Sequence, residues 1–210
     1  MLPVTRLLIA RHGNTFDPSD TVLRVGLRTD LPLSRSGRKQ AEALGQFFQD
    51  AGEDIHKVYT SELCRTFETA NIALNNLGFK VPIVQDPMFN EVDYGVDDGQ
   101  PEEEVVARIG IEALQEWEQE AKVPPGWQIE PKRIIQNWKT FAGNLLQDHY
   151  DQTVLVVTSN GIARFAPHLC ADFAALKARH KLKLATGALG SFVHVDDQWN
   201  VEMWNVRPKS

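Results

Sequence analysis

Short apolar runs alternate with longer segments of helical periodicity along this chain. Apolar runs of about four to eight residues bounded by polar turns are typical of buried strands. The sequence predicts six such strands, at 5–10, 56–60, 81–85, 153–158, 190–196 and 199–204. The last two alternate apolar and polar residues around Asp196, Asp197 and Gln198, which predicts a hairpin. Strands interleaved with helices favour an α/β domain.

Four segments between the strands carry apolar residues at helical spacing. They predict helices at about 34–51, 62–76, 101–122 and 131–149. Ser34 or Ser36 caps the first helix, and Gly78 follows the second, as glycine often does. Pro101 and the glutamates after it suit a helix start, because proline fits the first turn and acidic groups favour that end. The segment VPPGW at 123–127 ends the third helix.

The composition is that of an ordinary globular domain, with 210 residues, 42% apolar and 24% charged. We predict one domain over residues 1–210, with the more polar segment 100–130 as a lid excursion over the edge of the sheet. A net charge of −6 argues against nucleic-acid binding through a broad basic surface. No apolar run approaches the roughly 20 residues that span a bilayer. The short segment before Arg11 does not suit a secretory signal, so we expect a cytoplasmic protein without membrane contact.

The two cysteines, Cys64 and Cys170, provide neither a disulfide framework nor the spacing of a metal site. We expect both to be buried, reduced thiols.

Four stretches with reactive or charged side chains end a strand or begin a helix. They are RHGNT at 11–15, YTSELCRTFETA at 59–70, NEVDYGVDDG at 90–99 and VLVVTSNGIAR at 154–164. Ligands of open α/β sheets bind outside the carboxyl ends of strands, so these positions indicate a site. Each stretch alone also has a structural explanation. Arg-His-Gly is too short a motif to identify a function by itself, and Arg65 is of a type common in ion pairs. The third stretch is typical of an acidic turn or a weak cation site, and the fourth of strand-to-helix capping.

In combination and in this order, the four stretches resemble the histidine phosphatase superfamily, the phosphoglycerate mutase-like group. The segments TDLPLSRSGRKQAEALG at 29–45 and ATGALGSF at 185–192 are similar to further parts of that pattern, so the resemblance covers nearly the whole chain. It implies a three-layer α/β/α sandwich with a mostly parallel central sheet and a C-terminal hairpin.

The resemblance also implies the chemistry. His12 would be the nucleophile that forms a phosphohistidine, because imidazole can be neutral near pH 7. Arg11 and Arg65 would bind the phosphoryl oxygens bidentately and stabilise their charge, with no metal or other cofactor required. Glu91 would protonate the leaving oxygen, which needs a raised pKa; like charge from Asp93 and the bound phosphate would supply it. Asp93 is the reserve acid.

Asn14 and Thr15 would add neutral donors to the phosphate or the leaving group. Asn14 stands where relatives often have an acidic residue.

The fourth stretch departs from the family pattern, which usually has Ser-His-Gly there with a histidine that contacts the phosphoryl group. Counting back from Gly161 and Arg164 places Ser159 at the histidine, with Asn160 in place of a glycine. In the alternative register, Asn160 replaces the histidine. Losing one donor of this kind costs about 10²–10³ in rate. We do not expect any other histidine to supply the missing contact to the phosphoryl group. The others are His56, His149, His168, His180 and His194.

The leading interpretation is a metal-independent phosphomonoester hydrolase that works through a phosphohistidine at His12. The alternatives are phosphoglycerate mutase-type phosphoryl transfer and a catalytically impaired member that binds a phosphorylated ligand or a protein as a sensor or scaffold. The expected partner is a phosphorylated small molecule, bound by a monomer or a homodimer. Trp117 and Trp127, within the lid, either face the substrate or pack in the core.

Overall fold

The computed structural model describes residues 4–75, 77 and 80–209. A six-stranded sheet forms the middle layer, in the order β3-β2-β4-β1-β5-β6. The strands are β1 (Thr5–Arg11), β2 (Ile55–Thr60), β3 (Ile83–Gln85), β4 (Thr153–Thr158), β5 (Leu189–Val195) and β6 (Gln198–Val206). The first four are mutually parallel where they pair, whereas β5 runs antiparallel to both β1 and β6. This is the mostly parallel sheet with a C-terminal hairpin that the sequence predicts.

Helices cover both faces of the sheet and give the predicted three-layer α/β/α arrangement. They are α1 (Arg35–Ala51), α2 (Cys64–Asn75), α3 (Glu102–Ile109), α4 (Ile111–Glu120), α5 (Pro131–Asp148), α6 (Asn160–Ala163) and α7 (Phe173–Arg179). Because side chains alternate along a strand, Leu8 and Ala10 of β1 pack with α1 and α2. Leu7 and Ile9 pack on the opposite face in the larger hydrophobic cluster, which includes residues of α3, α4 and α5.

The hairpin forms where the sequence predicts it. Asp196 and Asp197 join β5 to β6 with φ of 52° and 58°. Two consecutive residues with positive φ match the twist of a two-residue hairpin turn, and Asp tolerates that conformation better than most residues.

The helix predicted at 101–122 is wrong as a single element, because two helices meet at Gly110. Gly110 has a φ of 85°, a conformation that glycine adopts easily and that a continuous helix excludes. The helix predicted at 62–76 begins at Cys64, and its predicted end at residue 76 and the following Gly78 lie outside the described residues. Ser34 caps α1 and accepts a hydrogen bond from the amide of Gly37.

The segment at 100–130 packs against the sheet rather than standing away from it. Val105, Leu114, Trp117 and Trp127 belong to the larger cluster that contains β1 and β4 residues. The two indole rings lie 5.5 Å apart at 84° and are almost fully buried, which assigns them to packing rather than to substrate contact. The single domain over 1–210 stays a prediction.

The cysteines differ from the sequence expectation in their burial. Cys64 and Cys170 are free thiols, but each is half-buried rather than buried. Burial raises the pKa of Cys64 to about 12 and that of Cys170 to about 11, so both thiols are protonated at neutral pH. In the part of the chain that the structure describes, no helix is long and apolar enough to cross a membrane.

Candidate active site

The ends of two neighbouring parallel strands bring the first and fourth stretches together. Arg11, the last residue of β1, pairs with Thr158, the last residue of β4. The backbone amide of His12 then donates to the carbonyl of Thr158 at 3.0 Å. His12 and Ser159 therefore leave the sheet side by side at its carboxyl edge, where the strand order alone predicts a site.

The imidazole of His12 is buried, with 6% of the residue exposed. Its Nδ1 lies 2.7 Å from the carbonyl oxygen of Gly13. A carbonyl only accepts hydrogen bonds, so Nδ1 carries the proton and Nε2 has a free lone pair. Burial, and next the positive charges of Arg65 and Arg11, hold the pKa of His12 well below its usual 6.5. The ring is therefore neutral at pH 7, as a nucleophile requires.

The two arginines beside His12 are held by backbone carbonyls. Arg11 donates from Nη1 to the carbonyl of Leu184 at 2.9 Å. Arg65 is fully buried and donates to the carbonyls of Thr29 and Gly26, at 2.9 and 3.1 Å. Carbonyl acceptors orient a guanidinium without cancelling its charge. The carboxylate of Asp30 lies 3.9 Å from Arg65 and is half exposed, so it offsets the charge of Arg65 only in part. Both positive charges therefore act on His12 and on any anion bound beside it.

Several buried polar atoms of the predicted site have no hydrogen-bond partner. Within the described residues these include Nε of Arg11, Nε of Arg65 and Oγ of Ser159. Buried donors without partners are costly, and they commonly mark a position that a ligand or water completes. The sequence had already indicated all three residues as parts of the site, so their unpartnered atoms support an anion site around His12.

A cavity of about 660 Å³ opens at this edge of the sheet. The sequence-predicted residues on its wall are Arg11, His12, Asn14, Thr15, Glu91 and Asn160. Arg65 and Ser159, each with no exposed surface, lie behind this wall. The structure thus brings six of the predicted residues to the cavity and places the other two beneath it.

Of the four carboxylates in the third stretch, one is a candidate acid and three make structural contacts. Glu91 lines the cavity, and its carboxylate accepts from the amides of Val92 at 2.9 Å and Gly161 at 3.2 Å. Asp93, the reserve acid, accepts from Arg28 at 2.9 Å and from the amide of Gly95 at 2.8 Å. Asp93 does not line the cavity, which makes Glu91 the better placed of the two candidate acids.

The remaining two acidic residues of that stretch tie loops together. Asp97 binds Arg108 and accepts from Nε1 of Trp127 at 2.7 Å. Asp98 accepts hydrogen bonds from Thr29 and from the amide of Arg28. These contacts make the stretch a hydrogen-bonded turn around Glu91. Among residues 4–75, 77 and 80–209, no three His, Cys, Asp or Glu side chains lie together as ligands for a metal ion.

Asn14 is fixed to the start of α1. Its amide donates to Oε1 of Gln40 at 2.8 Å, and its Nδ2 donates to Oγ of Ser36 at 3.1 Å. One of the two Nδ2 hydrogens is therefore engaged by the protein, which leaves the other for the cavity. Thr15 also lines the cavity.

The two candidates for the missing histidine are placed differently. Ser159 is fully buried at the amino end of α6, and its hydroxyl does not cap that helix. Asn160 lines the cavity and accepts a hydrogen bond at Oδ1 from the amide of Leu184 at 3.0 Å. Its Nδ2 is therefore the polar atom of that side chain available to a ligand.

Sequence reasoning missed several residues of the cavity wall. Tyr94 was noted within the third stretch without a role, and burial raises the pKa of its phenol, so it is a neutral donor there. Arg24, Glu102, Glu118 and Lys183 also line the cavity. They come from loops and from α3 and α4, and no local pattern marks a loop residue as facing a distant strand end.

The chain belongs to the histidine phosphatase superfamily, branch 1, whose family model matches residues 7–207. A phosphoglycerate mutase of Candida albicans is 33% identical over 128 residues, 60% of this chain and 50% of that protein. Fructose-2,6-bisphosphatase TIGAR B of Danio rerio is 32% identical over 145 residues, 67% of this chain and 53% of that protein. The chain spans about half the length of these curated relatives.

Solved structures show the same fold at lower identity. The mycobacterial glucosyl-3-phosphoglycerate phosphatase is 20% identical, with a TM-score of 0.76 over 97% of this chain and 99% of that chain. The α-ribazole phosphatase of Shigella flexneri is 21% identical, with a TM-score of 0.72 over 98% of each chain. The phosphoglycerate mutase-like fold is therefore shared, and the named relatives are phosphatases and mutases.

Proposed function

We propose that this chain hydrolyses phosphomonoesters of small organic alcohols through a phosphohistidine on His12. One observation carries the proposal: a buried, neutral imidazole with a free Nε2 lies beside the guanidinium groups of Arg11 and Arg65. A neutral lone pair next to two fixed positive charges suits attack on the phosphorus of a bound dianion.

The reaction has two steps. Nε2 of His12 attacks phosphorus, the bond to the leaving oxygen breaks, and Glu91 gives that oxygen a proton to release the alcohol. A water then attacks phosphorus, gives a proton to Glu91, and displaces Nε2 to release inorganic phosphate. Arg11 and Arg65 stabilise the charge of the transferring group in both steps, and Asn14, Thr15 and Asn160 add neutral donors to the phosphate or the leaving oxygen.

A second candidate, an impaired member that binds a phosphorylated ligand, is favoured by Ser159. If Ser159 replaces the family histidine, as the preferred register has it, the site has one buried, neutral hydroxyl there. Two arginines are enough to bind a phosphate in the ground state, whereas the missing donor weakens stabilisation of the transition state. This candidate predicts phosphate binding with little or no turnover.

The test is a rapid-quench reaction with p-nitrophenyl phosphate, followed by mass spectrometry of the protein. We expect an acid-labile phosphoryl group on His12, release of inorganic phosphate, and loss of both in His12→Ala. The control is His56→Ala, since His56 lies on β2 away from the cavity. Full turnover by His12→Ala with no phosphoryl-enzyme would exclude the mechanism.

Two further measurements separate the rival functions. Calorimetry that shows phosphate binding, in a protein with neither turnover nor a phosphoryl group on His12, would support the impaired member. Mutase-type transfer needs a second hydroxyl to receive the phosphoryl group, so it is tested with the phosphate monoester of a diol: an isomeric ester would appear instead of inorganic phosphate.

A further inference from the structure

A second cavity of about 490 Å³ adjoins the first and shares part of its wall. Four side chains line both: Arg24, Glu102, Glu118 and Lys183. This shared wall, which we call the rim, lies between the phosphate-binding end and the second cavity. A substrate held at His12 would enter the second cavity if its alcohol portion reached past the rim.

The rim is made of two ion pairs. Arg24 binds Glu102, and Lys183 lies 2.8 Å from Glu118. The guanidinium of Arg24 also lies 5.3 Å from the ring centres of both Tyr94 and Trp127, which holds it in place. Glu118 also lies 3.4 Å from the buried Arg164, and Nε of Arg24 is buried without a hydrogen-bond partner among the described residues, so the rim can bind a polar group of the substrate.

Beyond the rim, the second cavity presents apolar surface. Val106, Ile111 and Leu114 line it where α3 meets α4 at Gly110. Ile111 has 48% of its surface exposed, which leaves hydrocarbon available for contact. Gln115 and Gln119 give the same wall neutral donors and acceptors, and Lys181 lies there as an exposed cation.

We infer that the substrate of the proposed phosphatase has a partly apolar alcohol portion that crosses the rim and packs against Val106, Ile111 and Leu114. This inference rests on the proposed function, because it assumes that the phosphate is held at His12.

A series of primary alkyl phosphates tests the inference without changing the reactivity of the leaving group. Ethyl, butyl and hexyl phosphate share the same type of reacting oxygen and differ in hydrocarbon length. If the chain packs in the second cavity, kcat/KM rises by about two- to fourfold for each added methylene. A kcat/KM that is equal for the three esters, or that falls with length, would overturn the inference.

Two variants locate the effect. Ile111→Glu places a charge in the apolar surface, so the ratio of kcat/KM for hexyl to ethyl phosphate should fall towards one. Ile111→Ala, which removes hydrocarbon without adding charge, should lower the same ratio by a smaller factor. Val195→Glu is the matched control at an exposed apolar position on β5, and its ratio should equal that of the unmodified chain. An unchanged ratio in Ile111→Glu would place the alkyl chain elsewhere.

Failure of the proposed function gives a different result. In that case either the unmodified chain does not turn over any of the three esters, or His12→Ala retains turnover of ethyl phosphate, whatever the chain-length dependence. If turnover of ethyl phosphate depends on His12 but kcat/KM does not rise with length, the phosphatase stands and the assignment of the second cavity is wrong.

Discussion

The catalytic rate expected of this site depends on a single side chain, that of Ser159 or Asn160. The first is buried beneath the cavity with an unpartnered hydroxyl, and the second lines the cavity with Oδ1 engaged by Leu184. In the proposed mechanism, the positive charges of Arg11 and Arg65 already stabilise the bound phosphate. A donor added at residue 159 therefore acts mainly on charge that grows in the transition state.

Ser159→His should raise kcat by about tenfold or more, with the dissociation constant of inorganic phosphate changed by less than about threefold. Asn160→His should give no such gain, because it removes the acceptor that Leu184 uses and leaves residue 159 unchanged. Steady-state kinetics and phosphate calorimetry on both variants, with folding checked by circular dichroism, measure these effects.

Ser159→Asn provides a smaller donor in case histidine does not fit the buried position, and we expect a smaller gain in kcat from it. If both folded variants at residue 159 are no faster than the unmodified chain, the site does not lack a donor at residue 159. A gain confined to Asn160→His would support the alternative register of the fourth stretch.

At the scale of elements, the segments with strong periodicity were predictable and the elements without it were not. The strands and α1 carry runs of apolar residues at a fixed spacing, and their observed ends lie within two residues of the predicted ones. The break at Gly110 was missed because Ile109 and Ile111 continue the apolar pattern across it. Glycine inside a helix costs only about 1 kcal/mol, so the sequence alone does not reveal a positive φ.

The candidate site combines residues that the sequence marks with residues that it does not. His12, Arg11 and Glu91 come from stretches that the family resemblance marks, so the sequence selected them. The rim residues Arg24 and Lys183 lie on loops that meet only in the folded chain. Their neighbours in space are set by tertiary packing, which no local pattern records.

The packing of α1 against the loop that carries His12 leads to a prediction on two glycines. A Cβ on Gly37 would lie 2.0 Å from the carbonyl oxygen of Asn14, whereas a Cβ on Gly143 in α5 meets nothing within 4 Å. Gly37→Ala must therefore displace the loop that carries His12. We expect it to lower the free energy of unfolding by about 1–3 kcal/mol and to reduce kcat/KM.

Gly143→Ala is the matched control, because the same added methyl lies on an exposed helix surface. It should raise the free energy of unfolding by about 0.5–1 kcal/mol and leave kcat/KM unchanged. Denaturant titrations and steady-state assays measure both quantities. A Gly37→Ala protein with unchanged stability and activity would show that α1 and the loop that carries His12 are not in close contact.

At the scale of the whole molecule, the larger hydrophobic cluster joins the segment at 100–130 to the sheet. Leu114 of α4 and Leu145 of α5 are both buried in this cluster, together with Trp117, Trp127 and Trp138. A lid that rested loosely on the domain would not bury its tryptophans among residues of the central strands. The packing therefore predicts that α4 unfolds with the sheet rather than before it.

This coupling is measurable by unfolding in denaturant, followed both by tryptophan fluorescence and by far-ultraviolet circular dichroism. The two transitions should coincide, as expected for a single cooperative domain. Leu114→Ala and Leu145→Ala should each lower the free energy of unfolding by about 2–5 kcal/mol, with both probes shifting together. Val96→Ala is the control, because it removes apolar atoms at a residue that is 68% exposed and so leaves no buried cavity. It should change stability by less than about 0.5 kcal/mol.

The opposite result would be a Leu114→Ala protein whose fluorescence transition moves to lower denaturant while its circular dichroism transition stays in place. That result would show that the segment at 100–130 is an independent lid.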